Sequence, residues 1–469
     1  MNRTKKIPWR VSEILEATQG KLVCGDIERQ FSGVCIDSRS IQADQLFVAI
    51  KGEVHDGHNF TGYVTSKGVK GIVIHEDKAG SLSVAGWKKL GVVCVSVKDT
   101  VRALGDMASY NRKRSNARLV AITGSNGKTT SKEMCFAVVS EGFNTLGTYG
   151  NLNNNIGVPL TLFSLSHEHE MAVVELGMNH AGEIRQLGEI CTPDIGIITN
   201  IGPAHLEGLG SIENIAKAKA ELLENIKPDG VVILNADDPR VCKLADNTES
   251  RVVYFGMSEK ADIKGADVEQ RGTGIDFTLI LPEEEIDIKL NAAGKFMVSN
   301  ALAAASVGYE LGLSAKKIKS GLEKFKPVNG RMNILRDSSR KVTIIDDTYN
   351  ANPGSMTQAL KSFESLRGDN RGIFVAGDMF ELGEKSASEH ERMGRFSVSA
   401  GIAKLYPTGR FAENMARGAM DKGLSKSNIF IGTKDDILED LKKEIKPDDW
   451  ILVKGSRAMA MEKIVEGLK

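Results

Sequence analysis

The chain is 469 residues long, 41% hydrophobic and 26% charged, and its 61 Lys and Arg balance 61 Asp and Glu. That length suggests about three domains, and the composition excludes long disorder and a fibrous repeat. A formal net charge of zero removes the basic surplus expected of a nucleic-acid binder.

In chain order, residues 1 to about 100 read as a small mixed α/β unit, with a short helix over 11–18 and apolar runs at 45–50, 71–75 and 91–97. A helix over 100–114 leads into a basic, polar break at 111–117, where the first boundary falls. The middle region alternates short apolar runs (118–123, 171–175, 194–200, 230–235, 251–255) with helices such as 128–140 and 211–226, the signature of parallel βαβ units. Residues 262–291 alternate like a small antiparallel sheet, and an alanine-rich helix follows over 295–311. The last third repeats the α/β rhythm, with strands centred near Ile344, Phe374, Leu405, Phe430 and Leu452. Each of these ends in polar or Gly-rich sequence, and open parallel sheets bind ligands outside the carboxyl ends of their strands.

Six cysteines (Cys24, Cys35, Cys94, Cys135, Cys191, Cys242) form no CxxC pair, which fits reduced thiols better than a zinc cage or a disulfide scaffold. No run reaches the roughly 18 apolar residues that span a bilayer. The basic start, Met1 to Arg10, is not followed by the apolar core of a signal peptide. The expectation is a cytoplasmic protein with neither membrane insertion nor nucleic-acid binding.

The strongest local signal is Thr123-Gly124-Ser125-Asn126-Gly127-Lys128-Thr129-Thr130, between a predicted strand and a predicted helix. Glycines let backbone N–H groups curl toward phosphate oxygens, the helix N-terminus adds partial positive charge, Lys128 adds a full one, and a Thr hydroxyl can hold Mg²⁺. Ile122 stands where the first glycine of GxxxxGK[ST] belongs, and the alternative is a Gly-rich turn capping a helix. Glu175 ends one apolar run and His205 follows another, so a parallel sheet puts both on the face of this loop. Mg²⁺ prefers oxygen ligands, so Glu175 suits it better than His205; a helix cap and a loop histidine are the alternatives. On the helix over 211–226, Lys219 falls inside the apolar stripe of Ile212, Ile215, Ala216, Leu222 and Leu223. Desolvation there lowers an amine's pKa. A neutral amine is a nucleophile, and with CO₂ it forms a carbamate carrying a carboxylate's charge. A snorkelling lysine is the other possibility.

Together these motifs resemble the Mur ligase family of ATP-dependent amide-bond ligases. Further strings carry the resemblance: Asp37-Ser38-Arg39 with 46–52, Gly150-Asn151-Leu152-Asn153-Asn154, Asp347-Thr348-Tyr349-Asn350-Ala351-Asn352-Pro353, Gly377-Asp378-Met379, and Val453-Lys454-Gly455-Ser456-Arg457. It implies three α/β domains: a small mixed UDP-sugar-binding domain (1–113), a central P-loop ATPase-like domain with a mainly parallel sheet (114–333), and a Rossmann-like domain for an incoming dipeptide (334–469). The 347–353 string points to the member that joins D-alanyl-D-alanine to UDP-N-acetylmuramoyl-tripeptide through an acyl phosphate, with ATP and Mg²⁺ and as a monomer.

By the same resemblance, Lys128, His205 and Lys219 are catalytic, and residues 123–130 with Asn300, Arg331 and Asp347 meet ATP. Thr129, Glu175, His205 and a carbamylated Lys219 hold metal. Ser38, Arg39, Asn151, Asn154, Tyr349, Asn350, Asn352, Lys454 and Arg457 contact substrates. A turn ion pair at Ser38–Arg39, turn formation by Asn151 and Asn154, and plain exposed strand-end cations at Lys454 and Arg457 are the competing readings. The plan predicts that the phosphate loop and the 347–353 loop, on separate domains, close around ATP from an open form. Rival functions are another Mur or folylpolyglutamate-type ligase and a P-loop switch ATPase.

Overall fold

The computed structural model describes residues 6–52 and 54–469, so residues 1–5 of the basic start lie outside it. Besides a two-stranded antiparallel pair, Trp9–Arg10 with Gln30–Phe31, three larger sheets follow one another along the chain. The first runs Lys21–Cys24, Val93–Val97, Gly71–His75, Leu46–Val48, Val34–Cys35, parallel except for its first pair. Helix Thr100–Arg114 then leads to the second sheet. The polar break expected at 111–117 is not a solvated linker. Asn111 and Arg112 are buried; Asn111 donates to the Leu162 carbonyl at 2.9 Å, and Arg112 pairs with Asp194 at 3.0 Å. Charge and polarity here join two units because each buried group has a partner.

The central sheet has nine strands. From one edge they are Thr145–Gly147, Met171–Glu175, Arg118–Thr123, Ile195–Ile198, Val231–Asn235, Arg251–Gly256, Ile263–Arg271, Gly274–Ile280 and Glu285–Leu290. Pairing is parallel as far as Ile263–Arg271 and antiparallel beyond it. Strands such as Met171–Glu175 and Val231–Asn235 are buried along their whole length, as expected where helices cover both faces. The antiparallel strands expected at 262–291 exist but do not form a separate sheet. The Asp262 backbone N–H donates to the Tyr254 carbonyl and its side chain accepts from the Tyr254 N–H, both at 2.8 Å, which lays Ile263–Arg271 along the parallel sheet.

The third sheet runs Asn333–Asp337, Val342–Asp347, Trp450–Lys454, Gly372–Ala376, Ile402–Pro407, and only its first pair is antiparallel. The strand expected at Phe430 is a single bridge between Ile429 and Leu405. The chain is diverted at once into helix Lys434–Glu444, whose capping box of Thr433 and Asp436 begins three residues later. The helix expected over 211–226 is also shorter. It stops at Ala220, where the backbone tightens into a 3-10 turn over Leu223–Asn225, and the Glu221 carboxylate accepts from the Gly182 and Arg185 N–H groups at 2.8 and 3.0 Å. One apolar core reaches through all three sheets, and smaller cores cover the outer faces of the first and third. Among the described residues no helix is long and apolar enough to cross a membrane.

Candidate active site

The parallel register sets the site. Glu175 lies opposite Ile122, and Thr123 opposite Ile198, so the carboxyl ends of three strands meet at one edge. There the chain after Thr123 curls into the phosphate loop and enters helix Lys128–Val139. Gly124 has φ 151°, and a Cβ on it would lie 1.9 Å from Thr199 Oγ1. Gly127 has φ 80°, and its Cβ would meet Asn300 Oδ1 at 2.4 Å. Only glycine fits at these two points, and the close approaches pin the loop to its neighbours. Asn200 adds a side-chain clamp: its Oδ1 accepts from the Asn126 N–H and its Nδ2 donates to the Asn126 carbonyl, both at 2.9 Å.

A cavity of about 850 Å³ opens over this loop. Lys128 is half-buried on its floor, its ammonium donating to the Gly124 carbonyl at 2.7 Å. Burial pulls its pKa down, Glu175 and Glu381 oppose that shift, and Arg331 adds to it. Glu175 is buried; Oε1 accepts from Asn153 Nδ2 at 2.8 Å while Oε2 has no partner. A buried carboxylate oxygen left without a partner is costly unless a ligand uses it. Thr129 Oγ1, in the first turn of helix Lys128–Val139, accepts from Arg331 Nη2 at 2.8 Å, and the Arg331 guanidinium lies 4.1 Å from the Tyr349 ring centroid. Among the described residues no three His, Cys, Asp or Glu side chains converge on one point. The oxygen donors Glu175 and Thr129 beside a phosphate loop nonetheless suit Mg²⁺, which keeps waters and shares its ligands with phosphates.

The C-terminal unit supplies the facing wall. Asn352 caps helix Pro353–Arg367 and its Nδ2 donates to Asn126 Oδ1 at 2.8 Å. Asp347 accepts from Lys454 Nζ at 2.5 Å and from the Met332 N–H at 3.1 Å. Asn300, under the loop, accepts from Ser131 Oγ at 3.1 Å. His205 borders the cavity with its Nδ1 2.6 Å from Glu381 Oε2, and this contact holds the Glu381 pKa down.

Several expected residues lie elsewhere or are already engaged. Lys454 is not an exposed cation; it is buried and bound to Asp347 and to the Asn350 carbonyl at 2.9 Å. Arg457 is exposed and pairs with Glu462 at 2.7 Å. Arg39 makes the turn ion pair with Asp37 at 2.9 Å, and the Ser38 carbonyl accepts from Lys67 at 3.3 Å, both away from the cavity. Asn151 is exposed outside the cavity wall, whereas Asn154 borders it and accepts from the Gly157 N–H at 2.9 Å in the turn before helix Gly157–Leu162. Lys219 is 1% exposed, and burial, with Lys128 adding to it, pulls its pKa well below the ordinary lysine value. Motif reading passed over Asn153, Asn200 and Glu381. Asn153 stood inside a quoted string, and Glu381 two residues beyond one.

A phosphate loop on a mainly parallel central sheet, faced by loops of a second α/β sheet, defines a nucleotide-dependent enzyme of several domains. The chain belongs to the Mur ligase family: residues 30–112 match its catalytic domain, 122–308 the Mur ligase middle domain, and 330–457 the Mur ligase glutamate ligase domain. It is 36% identical over 463 residues to UDP-N-acetylmuramoyl-tripeptide–D-alanyl-D-alanine ligase of Escherichia coli, covering 98% of each chain. The Bacillus subtilis protein of that name is 35% identical over 461 residues, again at 98% of each. Among solved structures, MurF from Acinetobacter baumannii superposes with a TM-score of 0.90 at 32% identity and 99% coverage of both chains. MurF ligase from Thermotoga maritima, solved in complex with ADP, gives 0.80 at 26% identity over 93% of this chain and 96% of that one.

Proposed function

We propose that this Mur ligase joins D-alanyl-D-alanine to UDP-N-acetylmuramoyl-tripeptide in the cytoplasm, cleaving ATP to ADP and phosphate. The observation that carries the reading is the meeting of the phosphate loop with the 347–353 loop, through Asn126 and Asn352. The relatives that match along the whole chain bear that activity in their names, and one was solved with ADP.

In the reaction a carboxylate oxygen of the tripeptide attacks the γ-phosphorus and ADP leaves, giving an acyl phosphate. The dipeptide amine then attacks the acyl carbon, loses a proton, and expels phosphate from a tetrahedral intermediate. Such transfers rely on positioning and charge neutralisation. Residues 123–130 cradle the phosphates, and Lys128 turns from its loop carbonyls to the oxygens that gain charge. Asn300, Arg331 and Asp347 fix the nucleotide, and Lys454 holds Asp347 in place. Thr129, Glu175, His205 and, once carbamylated, Lys219 would hold Mg²⁺, which when bound neutralises phosphoryl oxygens. Ser38, Arg39, Asn151 and Asn154 receive the UDP-sugar peptide; Tyr349, Asn350, Asn352 and Arg457 receive the dipeptide. Domains divided as 1–113, 114–333 and 334–469 accommodate this division of labour. The acting unit is the monomer.

The test supplies ATP, Mg²⁺, the UDP-muramoyl tripeptide and D-alanyl-D-alanine, and weighs the nucleotide product. The expected product is heavier by the dipeptide less one water. Phosphate release with an unchanged tripeptide favours a switch ATPase, and extension only by a different amine favours another ligase of the family.

A further inference from the structure

His205 belongs to the central unit, but the group that holds its ring does not. Glu381, in the loop after strand Gly372–Ala376 of the third sheet, places its Oε2 2.6 Å from His205 Nδ1. A second strap runs beside it, from the Glu207 N–H to the Glu381 carbonyl at 3.0 Å. Both residues sit in the left-handed region, His205 at φ 57° and Glu381 at φ 63°. Such backbone persists in non-glycine residues where surrounding contacts over-determine it, and it clusters at functional sites.

The arm that carries Glu381 is fixed along its length. The Asp378 carboxylate accepts from the Arg410 and Phe411 N–H groups at 2.7 and 3.1 Å. The Met379 N–H donates to His390 Nε2, and the Phe380 N–H to Ser456 Oγ, both at 2.9 Å. A simple surface ion pair, worth little by itself, requires neither the backbone strap nor the rigid arm.

From this geometry we infer that Glu381 is a positioning residue, brought in by the C-terminal unit, which orients His205 so that the metal set is completed only when that unit docks. The inference rests on the proposed metal role of His205. The carboxylate 2.6 Å from Nδ1 favours the hydrogen on that nitrogen, which leaves Nε2 with a free lone pair, and such outer partners raise metal affinity by fixing tautomer and ring.

The experiment titrates the full-length protein with Mn²⁺ in the presence of a non-hydrolysable ATP analogue and reads free Mn²⁺ by electron paramagnetic resonance. Glu381→Ala should weaken Mn²⁺ binding about 10–100-fold. Glu381→Gln, whose amide oxygen can face Nδ1 as the carboxylate does, should recover part of the loss, a rescue that a merely structural role does not predict. Glu381→Gln also carries the test should the alanine variant fold poorly. Affinities within twofold of the parent in both Glu381 variants, while His205→Ala loses Mn²⁺, overturn the inference and leave the ligase reading standing. Unchanged binding in His205→Ala removes the metal role of His205, and the inference falls with it.

Discussion

The central cavity and the Asp37–Arg39 turn both carry residues expected to meet substrate, yet they are held in different ways. Around the phosphate loop, two glycines admit no side chain, Asn200 clamps Asn126, and the Asn352 cap reaches across from another unit. The turn in the first unit offers an exposed guanidinium held by its own neighbour, Asp37. Phosphoryl transfer needs positions fixed before the ligand arrives, because stabilisation of a transition state depends on groups that need not reorganise. Binding of a sugar nucleotide can begin on an exposed charge that exchanges one partner for another.

The sharpest break in this contrast lies in the cavity wall. Asp347→Ala leaves the Lys454 ammonium buried without its carboxylate, which should lower the unfolding free energy by about 3–5 kcal/mol in urea titrations. Lys454→Met in the same chain should recover most of that loss. An Asp347→Ala protein as stable as the parent contradicts the preformed wall. Next, Lys128→Met should lower kcat by about 10²–10³-fold with little change in melting temperature, since its ammonium meets only loop carbonyls in the free site.

A smaller effect concerns His390, which is buried and whose Nε2 accepts from the Met379 N–H. Burial pulls its pKa below the ordinary histidine value, with the Ser386 carbonyl, Asp378 and Glu389 opposing the shift. Between that lowered value and about 6.5, the unfolded chain takes up a proton that the folded one refuses. Stability therefore rises with pH through this window and is lost as pH falls below about 6.5. Urea midpoints measured from pH 5 to 7.5 should show the slope, and His390→Gln should flatten it. The smallest effect on stability belongs to Arg39→Ala, which should leave the urea midpoint unchanged, because its ion pair is exposed. KM for the UDP-muramoyl substrate should still rise about tenfold, the loss of one charged hydrogen bond.

How much could be read from the chain follows the same division. The phosphate loop was legible because strand, Gly-Lys-Thr-Thr and helix are adjacent in sequence and the chemistry is done by local backbone. Lys219 was legible through helical periodicity, and its burial confirms where the stripe points. Glu381 and Asn153 were not, since each acts on a partner 176 or 22 residues away and carries no periodic mark of it (381 − 205 and 175 − 153). Pattern also misread two elements whose fate is set by pairing. The antiparallel strands joined the central sheet through Asp262, and the Phe430 run gave way to a capped helix. Lys454 was recognised as a strand-end cation, but its partner Asp347 lies on the neighbouring strand, where only register shows it.

The most direct measurement follows oxygen. With ¹⁸O placed in the terminal carboxylate of the tripeptide, an acyl-phosphate route must leave one label in the released phosphate for each amide formed. Phosphate without label, alongside extended peptide, would contradict the coupling of nucleotide cleavage to carboxylate activation in this cavity.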